Sequence, residues 1–258
     1  LQELEHPTNH DITVNDCLKP VSKYWARISK PVQLIDAVSQ AMSVLTDPVL
    51  TGAVTLALPQ DVQTEAYDYP EDMFAEKVWV IPRMSPKKKS LQETAELIKN
   101  SKTPLIIAGG GIIYSDAEAA LIDFSNKTGI SVAETQAGKG SIPWDHPQCL
   151  GAIGVTGTSS ANILAKKSDL VICIGTRLSD FTTASKTLFQ NKDVKFIGIN
   201  VSPDDASKHS AITLVGDAKV CLVKLTELLQ RDDFKVHEKY SQEIFALNGD
   251  WAKEVDRI

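Results

Sequence analysis

The chain has 258 residues, 43% hydrophobic and 23% charged, with a net charge of −6. That is enough material for one large or two modest domains with a buried core, and the acidic balance excludes nucleic acid or an anionic membrane surface as the main partner. No run of about 18 apolar residues exists to span a bilayer, and a start at Leu1 with no leader-like segment suggests an excised piece.

The opening holds His6 and His10, spaced as a helical metal pair would be, but Pro7 and the polar stretch to Asp11 make them surface-loop histidines. A helix is predicted over Val32–Leu45, with Leu34, Ile35, Val38, Met42 and Leu45 at the 3.6-residue period, stopped by Thr46-Asp47-Pro48. Ala53–Leu58 reads as a short buried parallel strand. One helix and one strand are too little for a free-standing core. Residues 67–90, with Pro70, Pro82 and Pro86, read as a connection, and Lys87-Lys88-Lys89 as a solvated face rather than a phosphate site.

From Leu91 to Leu229 helices and apolar strands alternate. Strands are predicted at Pro104–Ala108, Ile130–Ala133, Leu150–Ile153, Leu170–Ile174, Phe196–Val201 and Ile212–Val215. Helices between them present Leu91, Ala95 and Ile98, then Ala117, Ala120, Leu121 and Phe124 ending at Gly129, then Ala161, Leu164 and Ala165. Asp217 is the expected N-cap of a helix bearing Cys221, Leu225 and Leu228. This pattern predicts an α/β fold, a doubly wound, Rossmann-like parallel sheet of six strands. A last amphipathic stripe, Val236, Tyr240, Ile244, Leu247, Trp251, Val255 and Ile258, either packs on this domain or begins a connection onward.

Ligands of doubly wound folds bind at the carboxyl ends of strands, where three loops are candidates. Gly109-Gly110-Gly111 follows a strand and has two glycines of G-x-G-x-x-G, with Tyr114 in place of the third and Glu134 where a ribose-binding carboxylate would sit. Taken alone it suggests a nicotinamide site, though Tyr114 would hinder the close packing that the third glycine allows. Thr156-Gly157-Thr158-Ser159-Ser160-Ala161-Asn162 offers an anion site or simple helix capping, and Arg177 binds a phosphate or pairs with Asp180. Gly216-Asp217-Ala218, with Asn248 beyond it, imitates a G-D-G…N metal–diphosphate signature, but Ala218 replaces the second glycine and helix capping explains the residues. No catalytic or metal residues are assigned. Cys17, Cys149, Cys173 and Cys221 show no C-x-x-C spacing, which fits a reduced, cytoplasmic protein.

Val54-Thr55-Leu56-Ala57-Leu58-Pro59-Gln60-Asp61-Val62-Gln63 resembles the end of the pyrimidine-binding domain in the acetohydroxyacid synthase-like superfamily of thiamine-diphosphate-dependent enzymes. Ser101-Lys102-Thr103-Pro104, Gly109–Gly111, Gly151–Thr158, Ser168-Asp169-Leu170 and Gly175-Thr176-Arg177 are similar to its central domain. Asp16–Trp25 and Gln60–Pro70 look most like the trihydroxycyclohexanedione hydrolase branch of myo-inositol catabolism, also labelled malonic semialdehyde oxidative decarboxylase; other decarboxylases and acetolactate synthases are the alternatives.

The resemblance implies a partial pyrimidine-binding domain over 1–75, a linker over 76–90, the central domain over 91–230 and a helical linker over 231–258. It implies thiamine diphosphate and Mg2+ in the intact enzyme, with the activating glutamate before residue 1 and the metal–diphosphate motif after residue 258. It further implies a cyclic dione substrate and a homo-dimer or homo-tetramer. In flavin-binding relatives, loops equivalent to Gly109, Gly110, Gly111, Gly157, Thr158 and Arg177 hold FAD. Here Leu178-Ser179-Asp180-Phe181 departs from the flavin pattern, so a vestigial nucleotide fold is expected, with real nucleotide binding as the alternative.

Overall fold

The computed structural model describes Thr8 and residues 12–257, so His6 and His10 lie outside the described residues. The chain divides into two compact units, Leu1–Pro82 and Arg83–Ile258.

In the first unit, strands β1 (Tyr24–Arg27) and β2 (Val54–Ala57) pair in parallel, crossed over by helix α1 (Gln33–Thr46). Strand β1 was not foreseen, because four residues with no alternation and only partial burial carry little periodic signal. A 3-10 helix over Val14–Val21 leads into it, closed by reciprocal bonds between Thr13 and Asp16. Lys19 then lies over the Trp25 ring at 4.3 Å, and Trp25 Nε1 donates to the Asn15 carbonyl.

The small core of this unit is built from Ile28, Ala37 and Val62, with Leu34 and Leu56 against it. It is the Leu34–Ala37–Ala41 stripe of α1 that faces inward, since alanines let a helix approach two short strands closely. The larger Val38 and Leu45 stay exposed. After Thr64 the chain runs to Pro82 with one short 3-10 helix, Glu71–Phe74.

The second unit is a six-stranded, all-parallel sheet. Its strands are β3 (Pro104–Ala108), β4 (Ser131–Glu134), β5 (Cys149–Ala152), β6 (Leu170–Ile174), β7 (Lys195–Asn200) and β8 (Ile212–Val215), in the spatial order β5-β4-β3-β6-β7-β8. That is the strand order of the dinucleotide-binding doubly wound fold, with its switch point between β3 and β6. The helices are α2 (Lys88–Asn100), α3 (Gly110–Tyr114), α4 (Glu118–Thr128), α5 (Ser159–Lys167), α6 (Asp180–Thr183), α7 (Pro203–Ala206), α8 (Ala218–Arg231) and α9 (Glu238–Arg257). Helix α2 begins at Lys88, inside the stretch expected to be linker, and the three lysines are exposed.

Side-chain alternation along the strands builds two core layers. Ile106, Ala108, Ile172, Ile174 and Ile199 face the layer completed by α2, α4 and α8. Leu105, Ile107, Val171 and Cys173 face the layer completed by α5 and α9. Every residue of β3 and β6 is buried, and each large aliphatic side chain so placed contributes about 1.5–3 kcal/mol. Gly129 ends α4 at φ +76° and Asp217 caps α8 through the Val220 N–H, both as the sequence predicts.

Helix α9 docks through Tyr240, Ile244 and Leu247, while Val255 near its end is half exposed. The Tyr240 hydroxyl accepts from the Ser131 N–H (3.0 Å) and donates to the Pro104 carbonyl (2.8 Å), tying α9 to the starts of β3 and β4. Burial pushes its pKa up to about 12, so it keeps the proton that this donation needs.

Two stretches noted in the sequence meet at the same edge. Asp169 Oδ1 accepts from the Ser101 hydroxyl (2.5 Å) and the Thr103 N–H (3.0 Å), and Oδ2 accepts from the Lys102 N–H (2.8 Å). Partial burial works against its charge, but these bonds outweigh it and hold the carboxyl below the usual range. Because the folded pKa is depressed, this stability is present above the ordinary carboxylate value of about 3.9 and is lost as pH falls through the folded value. Asp169→Ala is expected to cost about 2 kcal/mol or more in urea unfolding at neutral pH, and to lose the acid-dependent part of the transition that the native chain shows below that value.

Candidate functional site

The carboxyl edge of the sheet gathers the loops singled out in the sequence. At the switch point, the loop after β3 lies in backbone contact with the loop after β6. A Cβ on Gly111 would fall 2.5 Å from the Gly175 Cα, and one on Gly109 would fall 2.3 Å from the Gly175 carbonyl oxygen. Gly175 itself sits at φ +60°, where a side chain is strained. The N–H of Gly109 donates to the Ile174 carbonyl (2.8 Å) and that of Gly111 to the Gly175 carbonyl (3.0 Å). Two donors that would face a pyrophosphate in a nucleotide-binding loop are therefore spent within the protein.

Gly110 is buried as the first residue of α3, a helix of only five residues. Tyr114 ends that helix with its side chain 85% exposed, so it is not at a helix–sheet contact.

The second loop is a capping structure. Thr158 Oγ1 accepts from the Ala161 N–H at the start of α5 and donates to the Leu150 carbonyl (2.5 Å), which Ser160 also bonds. Gly157 donates its N–H to the Gly154 carbonyl. The Asn162 side chain grips the backbone of Gly154 from both sides, at 3.0 and 2.9 Å, and holds it at φ +102°. Sequence reasoning missed this clasp; an Asn in the first turn of a helix eight residues after a glycine was the only signal.

In the third loop, Arg177 is exposed and its guanidinium makes no ion pair or hydrogen bond among the described residues, with Asp180 or any other group. It precedes a segment in which Leu178, Ala184, Ser185 and Lys186 all have positive φ.

The imitation metal signature is taken up structurally. Asp217 is almost fully buried; Oδ1 caps α8 and Oδ2 pairs with Arg83 at 3.1 Å, while Arg83 also reaches Asp116 at 2.8 Å. The Asn248 amide donates to the Cys149 carbonyl. These two residues do not fit a magnesium–diphosphate site, and among the described residues no three His, Cys, Asp or Glu side chains cluster as metal ligands. Burial raises the thiols of Cys149, Cys173 and Cys221, the last to about 12, which leaves them neutral and unreactive.

The loop into β5 carries a histidine the sequence analysis did not single out. His146 Nδ1 accepts from the Gln148 N–H (3.2 Å) and Nε2 lies 3.0 Å from Asn126 Oδ1, so the neutral ring with its proton on Nε2 satisfies both.

With this geometry in view, comparison with known proteins is informative. Residues 91–225 match the family described as thiamine pyrophosphate enzyme, central domain. A protein of Clostridium tetani named 3D-(3,5/4)-trihydroxycyclohexane-1,2-dione hydrolase is 50% identical over all 258 residues, and one of the same name from Clostridium perfringens is 48% identical. The chain spans 40% of the length of each. A solved structure from Mycobacterium smegmatis, described only provisionally as a thiamin diphosphate-dependent enzyme, superposes with a TM-score of 0.63 at 24% identity. It covers 83% of this chain and 40% of that one, which supports the fold.

Burial lowers the His146 pKa against the opposing charge of Asp145. Since the folded value lies below the unfolded one of about 6.5, the contribution is present above that pH and lost as pH falls through the lowered value. The thermal midpoint should drop between pH 7 and pH 5 in part through this group. His146→Asn, whose Oδ1 can replace Nδ1 as acceptor, should flatten that drop; an unchanged pH profile would remove His146 from the account.

Proposed function

The chain belongs to the thiamine pyrophosphate enzyme family through its central domain, and we propose from that premise that it is the middle module of a trihydroxycyclohexane-1,2-dione hydrolase. The observation that carries this reading is the match along the whole chain, 50% identical without interruption of coverage, to a protein of that name. In this reading residues 1–75 are the last part of a pyrimidine-binding domain, 91–230 the central domain, and 231–258 a helical passage toward a diphosphate-binding domain. Thiamine diphosphate supplies the means of carbon–carbon bond cleavage in such an enzyme. Asp217 and Asn248, spent on a cap, an ion pair and a carbonyl, do not fit it, so no step of the reaction is assigned to residues of this chain.

The contribution of the chain is then architectural. Gly109, Gly110, Gly111, Gly157, Thr158 and Arg177 keep the shape of a nucleotide site, and the internal use of the Gly109, Gly111 and Gly157 N–H groups supports a vestigial role over FAD or NAD binding. The whole enzyme is read as a cytoplasmic homo-oligomer, a dimer or tetramer, acting on a small cyclic dione.

The test is turnover by the full-length protein that contains this chain. Loaded with thiamine diphosphate and Mg2+, it should open 3D-(3,5/4)-trihydroxycyclohexane-1,2-dione to 5-deoxyglucuronate, followed by loss of the dione and by mass spectrometry. Decarboxylation of malonic semialdehyde with no action on the dione would replace this reading. The purified protein should also be colourless, and FAD or ADP at about 1 mM should leave its melting temperature unchanged, since a ligand at a hundredfold its Kd would add about 2.7 kcal/mol.

A further inference from the structure

Outside the three loops, the carboxyl end of β4 bears a further feature. Glu134 closes this strand and is only 6% exposed. Its Oε1 accepts from the N–H groups of Gly140 (2.9 Å) and Ile142 (3.3 Å), which folds the following loop back over the strand end. Its Oε2 has no hydrogen bond or ion pair among the described residues, yet it is not among the polar atoms sealed from solvent without a partner. A nearly buried carboxylate thus keeps one oxygen that reaches solvent and carries no protein donor, an acceptor that a ligand N–H can take.

Glu134 forms part of the wall of a cleft of about 390 Å³, which it shares with Glu118 and Ile122 of α4 and with Lys139, Pro143 and Trp144 of the loop. The volume suits a small molecule. Trp144 is 89% exposed although indole is a costly surface to leave in water. Two carboxylates against one lysine give the walls a net negative charge, and the lysine is exposed on a flexible stem that can swing aside. An electron-rich ring face, a carboxylate oxygen without a protein donor and apolar sides form a combination suited to a planar organic cation. A guanidinium satisfies each part, because it stacks on indole and presents a fork of N–H donors to a carboxylate.

We propose that this cleft binds a small guanidinium-bearing molecule, with its N–H groups on Glu134 Oε2 and its plane on the Trp144 ring. Binding at this cleft can be read directly on the full-length protein that contains this chain, by heat rather than by turnover.

The experiment is calorimetric titration of the full-length protein that contains this chain, at low ionic strength, with n-butylguanidinium and with its neutral isostere n-butylurea. The guanidinium should bind with a Kd of about 1 mM or tighter and the urea about tenfold more weakly or worse. Glu134→Gln keeps an oxygen for the Gly140 and Ile142 N–H groups but turns the open acceptor into a donor, and should weaken guanidinium binding about tenfold or more. Trp144→Ala removes an exposed side chain, should leave the melting temperature unchanged, and should weaken binding several-fold. No heat up to about 10 mM guanidinium overturns the proposal. Equal binding of the urea, or full affinity in either folded variant, overturns it as well. If Glu134→Gln does not fold, Trp144→Ala and the urea comparison decide.

Discussion

Gly111 and Gly175 bring two loops into backbone contact at the switch point of the sheet, and this approach sets the geometry of everything at the carboxyl edge. With no side chain on either, the peptide after β3 lies directly on the peptide after β6, and the Gly109 and Gly111 N–H groups continue the ladder beyond the last strand residues. The two innermost strands are held in register along their whole length, Pro104 opposite Leu170 and Ala108 opposite Ile174. Both core layers are organised around this pair. At the crevice that admits a pyrophosphate in a dinucleotide-binding protein, the Gly109 and Gly111 amides are already bonded to the neighbouring loop and strand.

The amino edge is fixed by a different means. There the strand starts are tied by side chains: Asp169 gathers the Ser101 hydroxyl and the Lys102 and Thr103 amides, and the Tyr240 hydroxyl bridges Ser131 and Pro104. Pro104 has no N–H to offer and so is suited to a strand's first position, while its carbonyl is free to receive the tyrosine. Glycine contacts at one edge and polar side-chain tethers at the other leave the hydrophobic middle free of buried charge.

Family membership and local chemistry also separate here. The chain belongs to a thiamine pyrophosphate enzyme family. Its most suggestive polar residues nevertheless serve its own fold: Asp217 caps α8 and holds Arg83, Asn248 holds the carbonyl of Cys149, and Thr158 and Asn162 shape the turn before α5. The same acidic or amide side chain can ligate a metal or terminate a helix, and which it does depends on neighbours distant in sequence. Glu134 is the partial exception, with one oxygen committed to the loop and the other open.

The sequence by itself determined the six parallel strands, the longer helices α2, α4, α5 and α8, and the ends of α4 and α8. Burial on both faces forces continuous apolar runs such as Leu170–Ile174, and helix ends demand local residues such as Gly129 and Asp217. It also carried the motifs whose resemblance pointed to the family. Strand β1 escaped it because a short, half-buried segment has no period to read, and the inward face of α1 because two alanines outweigh larger residues only when close approach to a sheet is known. Only the tertiary structure decided which donors were spent, that Arg177 has no partner among the described residues, and that Glu134 meets Trp144 in one cleft. These facts depend on residues brought together by folding, and no spacing along the chain encodes the distance between them.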